Sequence, residues 1–304
     1  MTLRAHLIAN SRSGKGAGES LPDLAQRLAA ELGVELVHHR CDDPSQFDQT
    51  IVAAIEAAKV DGGTVIAAGG DGTIRSVAQK VAGTGVPFGV VACGTFNFFA
   101  RTHRIPDDPE SALRLALSGE VRDVRLGRVN GEYFLINASL GLYAESIRER
   151  ERSTKRFGRD RLVVVLSTMK TLLSRRRNLH VEMVTATERA RLDTMTIFIG
   201  NNALQLRDLA MDVARCMKRD LLAVTVLRPV SRWGMLRIFW RGIVKTLEAD
   251  ERLETFCVDS LTIKLPKRRM TVALDGELFK MTSPLHIEAV PKVLSMRLPP
   301  KESP

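Results

Sequence analysis

The sequence predicts an α/β fold with two domains, a doubly wound parallel sheet followed by a β-sandwich. Its 304 residues correspond to about two domains of ordinary size. Over roughly the first 125 residues, short β-type runs alternate with helical patterns, and glycines follow the strands. From Asp123 onward, strand-like runs are joined mainly by turns, which is typical of an antiparallel sheet domain.

The first domain is predicted from the spacing of its apolar residues and from the glycines that end its helices. Four leucines at helical spacing form one face of the first helix, and Gly33 follows as a C-terminal cap. The expected strands are Leu3–Ala9, Val34–His38, Thr64–Ala68 and Val86–Ala92. The expected helices are Leu21–Leu32, Phe47–Lys59, one beginning at Thr73, and Ser111–Leu117. Ligands of such sheets bind at the carboxyl ends of the strands.

The second part of the chain has shorter strands and three helical insertions. The expected strands are Arg122–Val129, Glu132–Ala138, His180–Thr185, Asp193–Gly200, Leu221–Arg228, Ser260–Leu265 and Met270–Leu274. The expected helices are Tyr143–Arg152, Arg161–Arg177 and Ser231–Asp250. This pattern predicts a sheet domain with helices inserted between its strands.

Composition limits the function classes. The net charge of +10 favours an anionic partner, and no apolar run approaches the ~20 residues of a membrane span. Aromatic residues make up 5% of the chain, which disfavours nucleic-acid binding by base stacking. The four cysteines are far apart and form no CxxC pair. We therefore expect neither a zinc site nor a disulfide framework, and a reducing cytosolic location.

Three glycine-containing loops follow expected strands of the first domain. They are Asn10–Gly16, Gly69–Thr73 and Gly94–Ala100. Small residues let backbone N–H groups approach a phosphate at a helix N-terminus. The first loop has neither Walker A nor GxGxxG spacing, and an ordinary strand–helix turn explains it about as well.

The other two loops each have a structural alternative. In the second, Asp71 could reach a nucleotide-bound Mg²⁺, or it could serve only as a helix N-cap. In the third, Thr95 and Asn97 offer polar groups to a phosphate or ribose, although Asn97 could only cap a helix. The neighbouring Phe98 and Phe99 are interpreted as core residues.

A fourth stretch, Leu274–Glu277, places two carboxylates around a glycine. Alone, an Asp-Gly-Glu sequence is a common turn. Together with the three glycine loops, in this order, it resembles the diacylglycerol kinase catalytic-domain family, which includes sphingosine, ceramide and bacterial lipid kinases. The GGDGT loop is shared with NAD kinases and phosphofructokinases, but the combination of four motifs is more discriminating. The resemblance covers nearly the whole chain.

The resemblance implies a two-domain enzyme with its active site in a cleft. An α/β nucleotide domain of the type found in NAD and diacylglycerol kinases would comprise residues 1–124, joined by a returning strand at 285–298. A β-sandwich lipid-substrate domain would comprise residues 125–284. The implied activity is ATP- and Mg²⁺-dependent phosphorylation of a hydroxyl on diacylglycerol or a related lipid.

The family's functional residues can be carried over by motif. Glu277 resembles the general base, and Asp275 is its neighbour that orders the metal or the hydroxyl. Asp71 would contact both the reacting phosphates and their Mg²⁺. The nucleotide site would consist of Asn10, Ser13, Gly14, Gly69, Gly70, Asp71, Gly72, Thr73, Thr95 and Asn97.

One motif departs from the family. Bacterial members bind a structural Mg²⁺ through an Asp in the second domain. Alignment on the leucines of Met217–Val224 places Arg219 at that Asp and Asp220 at the following Gly. Arg219 cannot ligate a cation, so we expect this metal to be absent, unless a shift in register lets Asp220 replace it.

Basic segments suggest where the enzyme meets a membrane. Residues 148–177 are rich in Arg and Lys, and 231–247 place Arg237, Arg241 and Lys245 at intervals of four beside apolar residues. Such a stripe fits an anionic bilayer, although a solvated face over a core-packed helix explains it equally well. The resemblance favours a cytoplasmic enzyme peripherally associated with the inner membrane face. A homodimer stays open.

Two other functions remain. An NAD kinase shares the GGDGT loop, but the late Asp-Gly-Glu stretch and the basic amphipathic segment argue against it. The other is a catalytically silent lipid- or nucleotide-binding regulator, for which the change at Arg219 leaves room. We find no nucleic-acid recognition module.

Overall fold

The structure is a computed structural model that describes residues 3–10, 20–142, 144, 145, 147, 178–201, 216, 219–231, 233, 234 and 253–300. The chain divides into two compact units. Unit 1 comprises Met1–Leu126 and Pro291–Pro304, and unit 2 comprises Gly127–Val290.

The described elements are numbered in chain order. The helices are α1 Leu21–Glu31, α2 Phe47–Asp61, α3 Asp71–Val81, α4 Phe98–Thr102 and α5 Pro109–Ser118. The strands up to the middle of the chain are β1 Leu3–Asn10, β2 Val34–Cys41, β3 Thr64–Gly69, β4 Phe88–Ala92, β5 Glu120–Val129, β6 Glu132–Phe134, β7 Asn137–Gly141 and β8 Leu179–Val184. The remaining strands are β9 Arg189–Thr194, β10 Thr196–Gly200, β11 Leu222–Leu227, β12 Leu253–Val258, β13 Ser260–Lys264, β14 Arg269–Leu274, β15 Glu277–Thr282 and β16 Leu285–Leu298.

Unit 1 is built on a parallel sheet in the order β2-β1-β3-β4. The end of β16 adds to it in parallel, with Met296 beside Phe88. Helices α1 and α5 contact each other, as do α2 and α3, and right-handed crossovers place these pairs on opposite faces of the sheet. The buried strands β3 and β4 form its centre. The predicted doubly wound fold is confirmed.

Local sequence explains where these helices begin and end. Asp108 caps α5 by accepting a hydrogen bond from the backbone N–H of Ser111 at 2.8 Å. Helix α2 ends at Gly62, which has a left-handed φ of 69°. After each helix a short loop leads into the next strand. Because the strands are parallel, their carboxyl ends lie at one edge of the sheet.

Unit 2 is a β-sandwich. One antiparallel sheet has the order β12-β11-β10-β7-β14-β15, and the other contains β13, β8, β9 and the first part of β16. The two sheets share a core in which Leu140, Ile197 and Val224 of the first face the same cluster as Val181, Ile263 and Ile287 of the second. The predicted antiparallel sheet domain is confirmed.

The cysteine prediction was wrong in part. Cys216 and Cys257 form a disulfide, whereas Cys41 and Cys93 are free. Cys216 accepts backbone hydrogen bonds from Arg219 and Leu221, and this turn brings it beside Cys257 on β12. The spacing of the cysteines in the sequence does not show that approach, and so spacing alone does not indicate a reducing compartment.

The three predicted helical insertions fall almost entirely outside the described residues. Of these segments, the described positions are 144, 145, 147, 231, 233 and 234. None of the helices in the described part of the chain has the length and hydropathy needed to cross a membrane.

Candidate functional site

The glycine loop after β3 is packed against the loop after β4. A Cβ atom on Gly94 would lie 3.0 Å from the Cα of Gly70, and one on Gly69 would lie 2.7 Å from the Cβ of Thr73. The backbone N–H of Cys93 donates to the carbonyl of Gly69 at 2.8 Å. Side chains at these glycines would separate the loops, so close backbone approach explains the glycines here.

Helix α3 begins without a side-chain cap. Its N-cap is Gly70, and Asp71 is the first helical residue. The alternative in which Asp71 serves as the N-cap is therefore wrong. The backbone N–H groups of Asp71, Gly72 and Thr73 have no partner within the helix, because its first hydrogen bond runs from Ile74 to Gly70. Such an N-terminus favours an anion.

The carboxylate of Asp71 lies in a poorly solvated position. Its Oδ1 is buried and has no hydrogen-bond partner among the described residues. Burial raises the pKa of Asp71, opposed by the nearby backbone N–H groups of Phe99, Asn97 and Phe98. A cation at Oδ1 would compensate the buried charge, so this side chain fits contact with the Mg²⁺ of a nucleotide.

The loop after β4 is ordered by Asn97. This residue has a left-handed φ of 50° at the N-cap of α4, but its side chain does not cap the helix. Instead, its Oδ1 accepts a hydrogen bond from the backbone N–H of Gly94 at 3.0 Å. Asn97 therefore maintains the turn beside Gly70, and the neighbouring Thr95 is exposed.

An aromatic pair at this loop was missed by sequence reasoning. The rings of Phe96 and Phe98 stack with centroids 5.5 Å apart, and Phe96 is 59% exposed. Phe99 is buried, as predicted, but Phe98 is only partly buried. The alternation of exposed and buried rings within one short loop was the sequence feature that could have suggested it.

The first glycine loop is only partly described. Asn10 ends β1, and because Ala9 pairs with Ala68, its backbone lies at the same sheet edge as Gly69. Ser13 and Gly14 lie outside the described residues. The described part therefore brings Asn10 to the edge where Asp71 begins its helix.

In unit 2, Leu274–Glu277 forms a tight hairpin between β14 and β15. Asp275 and Gly276 have φ values of 49° and 88°, and Leu274 pairs with Glu277. Positive φ at both central residues is the condition that an Asp-Gly hairpin turn meets at low cost. Glu277 is exposed at the start of β15.

The carboxylate of Asp275 binds the backbone of a neighbouring segment. Its Oδ2 accepts from the N–H of Leu135 at 2.8 Å, and its Oδ1 accepts from Ile136 at 2.8 Å and Asn137 at 3.0 Å. Asp275 therefore fixes the turn that presents Glu277 and joins it to the start of β7. Sequence reasoning could not find this contact, since it joins residues about 140 positions apart.

The departure from the family motif lies in a turn before β11. Arg219 and Asp220 are both exposed, and Asp220 has a left-handed φ of 57°. That conformation favours glycine, which supports the alignment of Asp220 with the family's Gly and of Arg219 with its Asp. Among the residues that the structure describes, no three His, Cys, Asp or Glu side chains are grouped to hold a metal ion.

The two predicted membrane segments lie almost entirely outside the described residues. Residues 148–177 lie outside the described residues, and within 231–247 only Ser231, Trp233 and Gly234 are described. The side chain of Trp233 is 81% exposed.

Comparison with known proteins agrees with the fold and the motifs. Residues 4–129 match the diacylglycerol kinase catalytic domain. A diacylglycerol kinase of Mycobacterium tuberculosis is 28% identical, over 96% of this chain and 94% of its own length. A Pectobacterium atrosepticum protein named "Probable lipid kinase YegS-like" is also 28% identical, with 81% of each chain covered.

Solved structures show the same fold. The crystal structure of a diacylglycerol kinase from Bacillus anthracis superposes with a TM-score of 0.66 at 17% identity, covering 98% of this chain and 97% of that one. The chain therefore has the fold of this solved structure, and residues 4–129 match the diacylglycerol kinase catalytic domain.

Proposed function

We propose that this protein is an ATP- and Mg²⁺-dependent lipid kinase that phosphorylates a hydroxyl of diacylglycerol or a related lipid. The observation that carries the proposal is the buried, unpartnered Oδ1 of Asp71 beside the uncapped start of α3. An uncapped helix N-terminus attracts phosphates, and the carboxylate suits their cation. The match of residues 4–129 to a kinase catalytic domain supports phosphoryl transfer as the reaction class.

In the proposed mechanism, unit 1 positions the nucleotide. The free N–H groups of Asp71, Gly72 and Thr73 bind phosphate oxygens, and the missing side chains of Gly69 and Gly70 allow close approach. When bound, Mg²⁺ supplies neutralisation of phosphate charge. Exposed Thr95, Asn10, and Ser13 and Gly14 of the first loop would complete the site.

Unit 2 supplies the proton acceptor. We assign Glu277 as the general base that takes the proton from the lipid hydroxyl. Asp275 is a positioning residue, because its oxygens already accept three backbone hydrogen bonds that order the turn. We propose that Asp275 acts by holding the turn that carries Glu277, whereas the resemblance implied a contact with the metal or the hydroxyl.

The test of the reaction uses labelled ATP, Mg²⁺ and three acceptors: diacylglycerol in mixed micelles, sphingosine in mixed micelles, and NAD in solution. We expect Mg²⁺-dependent transfer of label to diacylglycerol or sphingosine. Transfer to NAD alone would establish the NAD kinase alternative. Thermal stabilisation by ATP without transfer to any acceptor would establish a silent regulator.

The base assignment is tested by Glu277→Gln. We expect this variant to lose lipid phosphorylation by about 100-fold or more, while ATP still raises the melting temperature as in the wild type. Glu188→Gln is the matched control, since Glu188 is an exposed glutamate in the turn between β8 and β9. An active Glu277→Gln variant would remove Glu277 from the mechanism.

A further inference from the structure

An exposed aromatic ring, that of Phe96, lies in the loop after β4, beside the proposed phosphate site. Its side chain is 59% exposed. Phe47 and Phe98 are partly buried, and Phe88 and Phe99 are buried, so Phe96 is the one exposed phenylalanine among the described residues of unit 1. Single exposed apolar side chains are common on protein surfaces, so a role for this ring must follow from how it is held and where it lies.

The ring of Phe96 is held in place by its neighbours. It stacks on the ring of Phe98, with an angle of 2° between the two planes and 5.5 Å between the centroids. Phe98 begins α4, and the next residue, Phe99, is buried. Between the two stacked residues in the sequence, Asn97 accepts the hydrogen bond from the backbone N–H of Gly94 that fixes the turn. Phe96 is therefore an ordered flat surface, and a ligand that covers it loses little conformational entropy in the protein.

The order of residues in this loop matches the order of groups in a nucleotide. Gly94 packs against the start of α3, since a Cβ atom on Gly70 would lie 3.7 Å from the Cα of Gly94. Thr95 follows and is exposed, and Phe96 comes next. The loop thus has, in sequence, a close backbone approach, a hydroxyl and an aromatic ring. Two residues of chain reach at most about 7 Å, so the ring lies within the length of a nucleotide from the N–H groups proposed to bind the phosphates.

We propose that Phe96 binds the base of the nucleotide by stacking, with Phe98 supporting its ring. This inference rests on the proposed function, because the base belongs to the nucleotide whose phosphates meet α3. Stacking on a phenyl ring accepts every base and favours the larger face of a purine, so Phe96 favours purine over pyrimidine nucleotides. An acyl chain or a bilayer would also cover an apolar ring, but the loop of Phe96 is tied to the phosphate site by the hydrogen bond from Cys93 to Gly69.

The test is a calorimetric titration of the full chain with Mg²⁺ and without lipid. The probes are ATP, CTP and inorganic tripolyphosphate, which has the phosphates of ATP but no base. We expect Phe96→Ala to weaken ATP binding about tenfold or more, to reduce the preference for ATP over CTP, and to leave tripolyphosphate binding unchanged. Equal weakening of ATP and tripolyphosphate would show that the ring only orders the loop. Unchanged ATP binding would show that the base does not contact the ring, and either result would overturn the proposal.

Further variants separate stacking from general apolar contact. Phe256→Ala is the matched control, since Phe256 is an exposed phenylalanine on β12 of unit 2, and it should bind all three probes like the wild type. Phe96→Trp keeps a π-face and should retain ATP affinity. Phe96→Leu keeps an apolar side chain without a π-face and should lose most of the affinity that Phe96→Ala loses. Full ATP affinity in Phe96→Leu would overturn stacking, and this variant also serves if Phe96→Ala does not fold.

Steady-state kinetics with diacylglycerol give an independent measurement. Phe96→Ala should raise the KM for ATP and change neither kcat nor the KM for the lipid by more than about twofold. A rise confined to the KM for the lipid would place the ring against the acceptor or the bilayer and overturn the proposal. A chain that binds ATP through Phe96 but phosphorylates no acceptor keeps this inference and loses the proposed function. Lipid phosphorylation with unchanged ATP binding in Phe96→Ala gives the reverse result.

Discussion

Asp71 occupies a position where its charge is costly in the unliganded protein. Its Oδ1 is buried without a partner among the described residues, and burial raises its pKa. An acid whose folded-state pKa is raised binds more protons when folded, so its contribution to stability is lost as the pH rises. In the proposed site, a cation bound at Oδ1 would remove this cost and so couple stability to ligand binding at this residue.

The first prediction concerns Asp71→Asn. At neutral pH the unliganded variant should melt at or above the wild-type temperature, because the buried charge is gone. The additional stabilisation by Mg²⁺ with ATP should fall towards that by ATP with a chelator. The control is Asp42→Asn, since Asp42 is an exposed residue paired with Arg40. A variant that melts lower when unliganded and keeps the full Mg²⁺ effect would contradict this role.

The lowered pKa of His103 predicts that the folded protein loses stability in acid. Its ring packs against Phe99 with centroids 4.7 Å apart, and burial, with the charge of Arg122, lowers its pKa to about 4. The unfolded chain takes up a proton at this residue near pH 6.5, and the folded chain does so only near pH 4. The free energy of unfolding should therefore fall between those two pH values. Because His103 as a whole is only partly buried, we expect less than about 3 kcal/mol.

Urea unfolding at about pH 7 and about pH 5 measures this effect. His103→Gln should lose less stability between the two pH values than the wild type does. His286→Gln is the control, because His286 is exposed. The same loss in His103→Gln and in the wild type would assign the acid sensitivity to other groups.

At the scale of elements, the hairpin between β14 and β15 has two acidic residues with different proposed roles, Asp275 in positioning and Glu277 in proton transfer. Asp275→Asn removes the charge from the acceptor of three backbone N–H groups and leaves at least one of them without an acceptor oxygen. We expect it to lower the free energy of unfolding by about 2–4 kcal/mol, and Glu277→Gln to change it by less than about 0.5 kcal/mol. Urea unfolding measures the free energy of unfolding of both variants. Equal stability of both variants would contradict the positioning role of Asp275.

The disulfide joins an edge strand to the turn before its neighbour. Cys216 and Cys257 are separated by 41 residues. Closing a loop of that length stabilises the folded state by about 4 kcal/mol in the chain-entropy estimate. We expect Cys257→Ser to lower the melting temperature, and a reductant to lower that of the wild type but not of the variant. Peptide mapping without reductant should recover the Cys216–Cys257 pair, and two free thiols at these positions would show that the pairing does not form.

Most interior strands could be predicted from the sequence, whereas several edge strands could not. The buried runs of β1, β3 and β4 are nearly continuous apolar segments, which periodicity detects. Strands β9, β12 and β15, which were missed or merged, stand at sheet edges, although the interior strand β7 was also merged with β6 and the edge strand β2 was predicted. Edge strands carry charged and polar residues that prevent pairing with other chains, and so their apolar pattern is weak.

The candidate site divides in the same way. The glycine loops could be found because their unusual composition is local to each loop. The unpartnered oxygen of Asp71 and the stacking of Phe96 on Phe98 depend on how loops meet at the sheet edge. The hydrogen bonds of Asp275 depend on a contact between distant segments, and no pattern within one segment contains that information.

On the scale of the whole molecule, the chain has more basic residues than its acidic residues and the proposed nucleotide site would neutralise. The chain carries 45 Lys and Arg against 35 Asp and Glu. Much of the described part is balanced locally, as where Glu182 lies within ion-pair distance of Arg189, Arg191 and Lys264. The segments 148–177 and 231–247 add more cations. We propose that this excess holds the enzyme on an anionic membrane surface.

Membrane association should then depend on lipid charge and on salt. We expect the protein to co-sediment with phosphatidylglycerol vesicles at low ionic strength and to dissociate as salt shortens the screening length from about 10 Å to about 3 Å. It should not bind phosphatidylcholine vesicles.

The basic stripe is tested by replacing Arg237, Arg241 and Lys245 with Gln. This triple variant should bind vesicles more weakly and still phosphorylate a soluble short-chain diacylglycerol. The matched control replaces three cations of unit 1, Arg4, Arg40 and Lys59. Equal weakening by both triple variants would mean that total charge, and not this stripe, holds the protein on the bilayer. Salt-independent binding to neutral vesicles would exclude an electrostatic attachment.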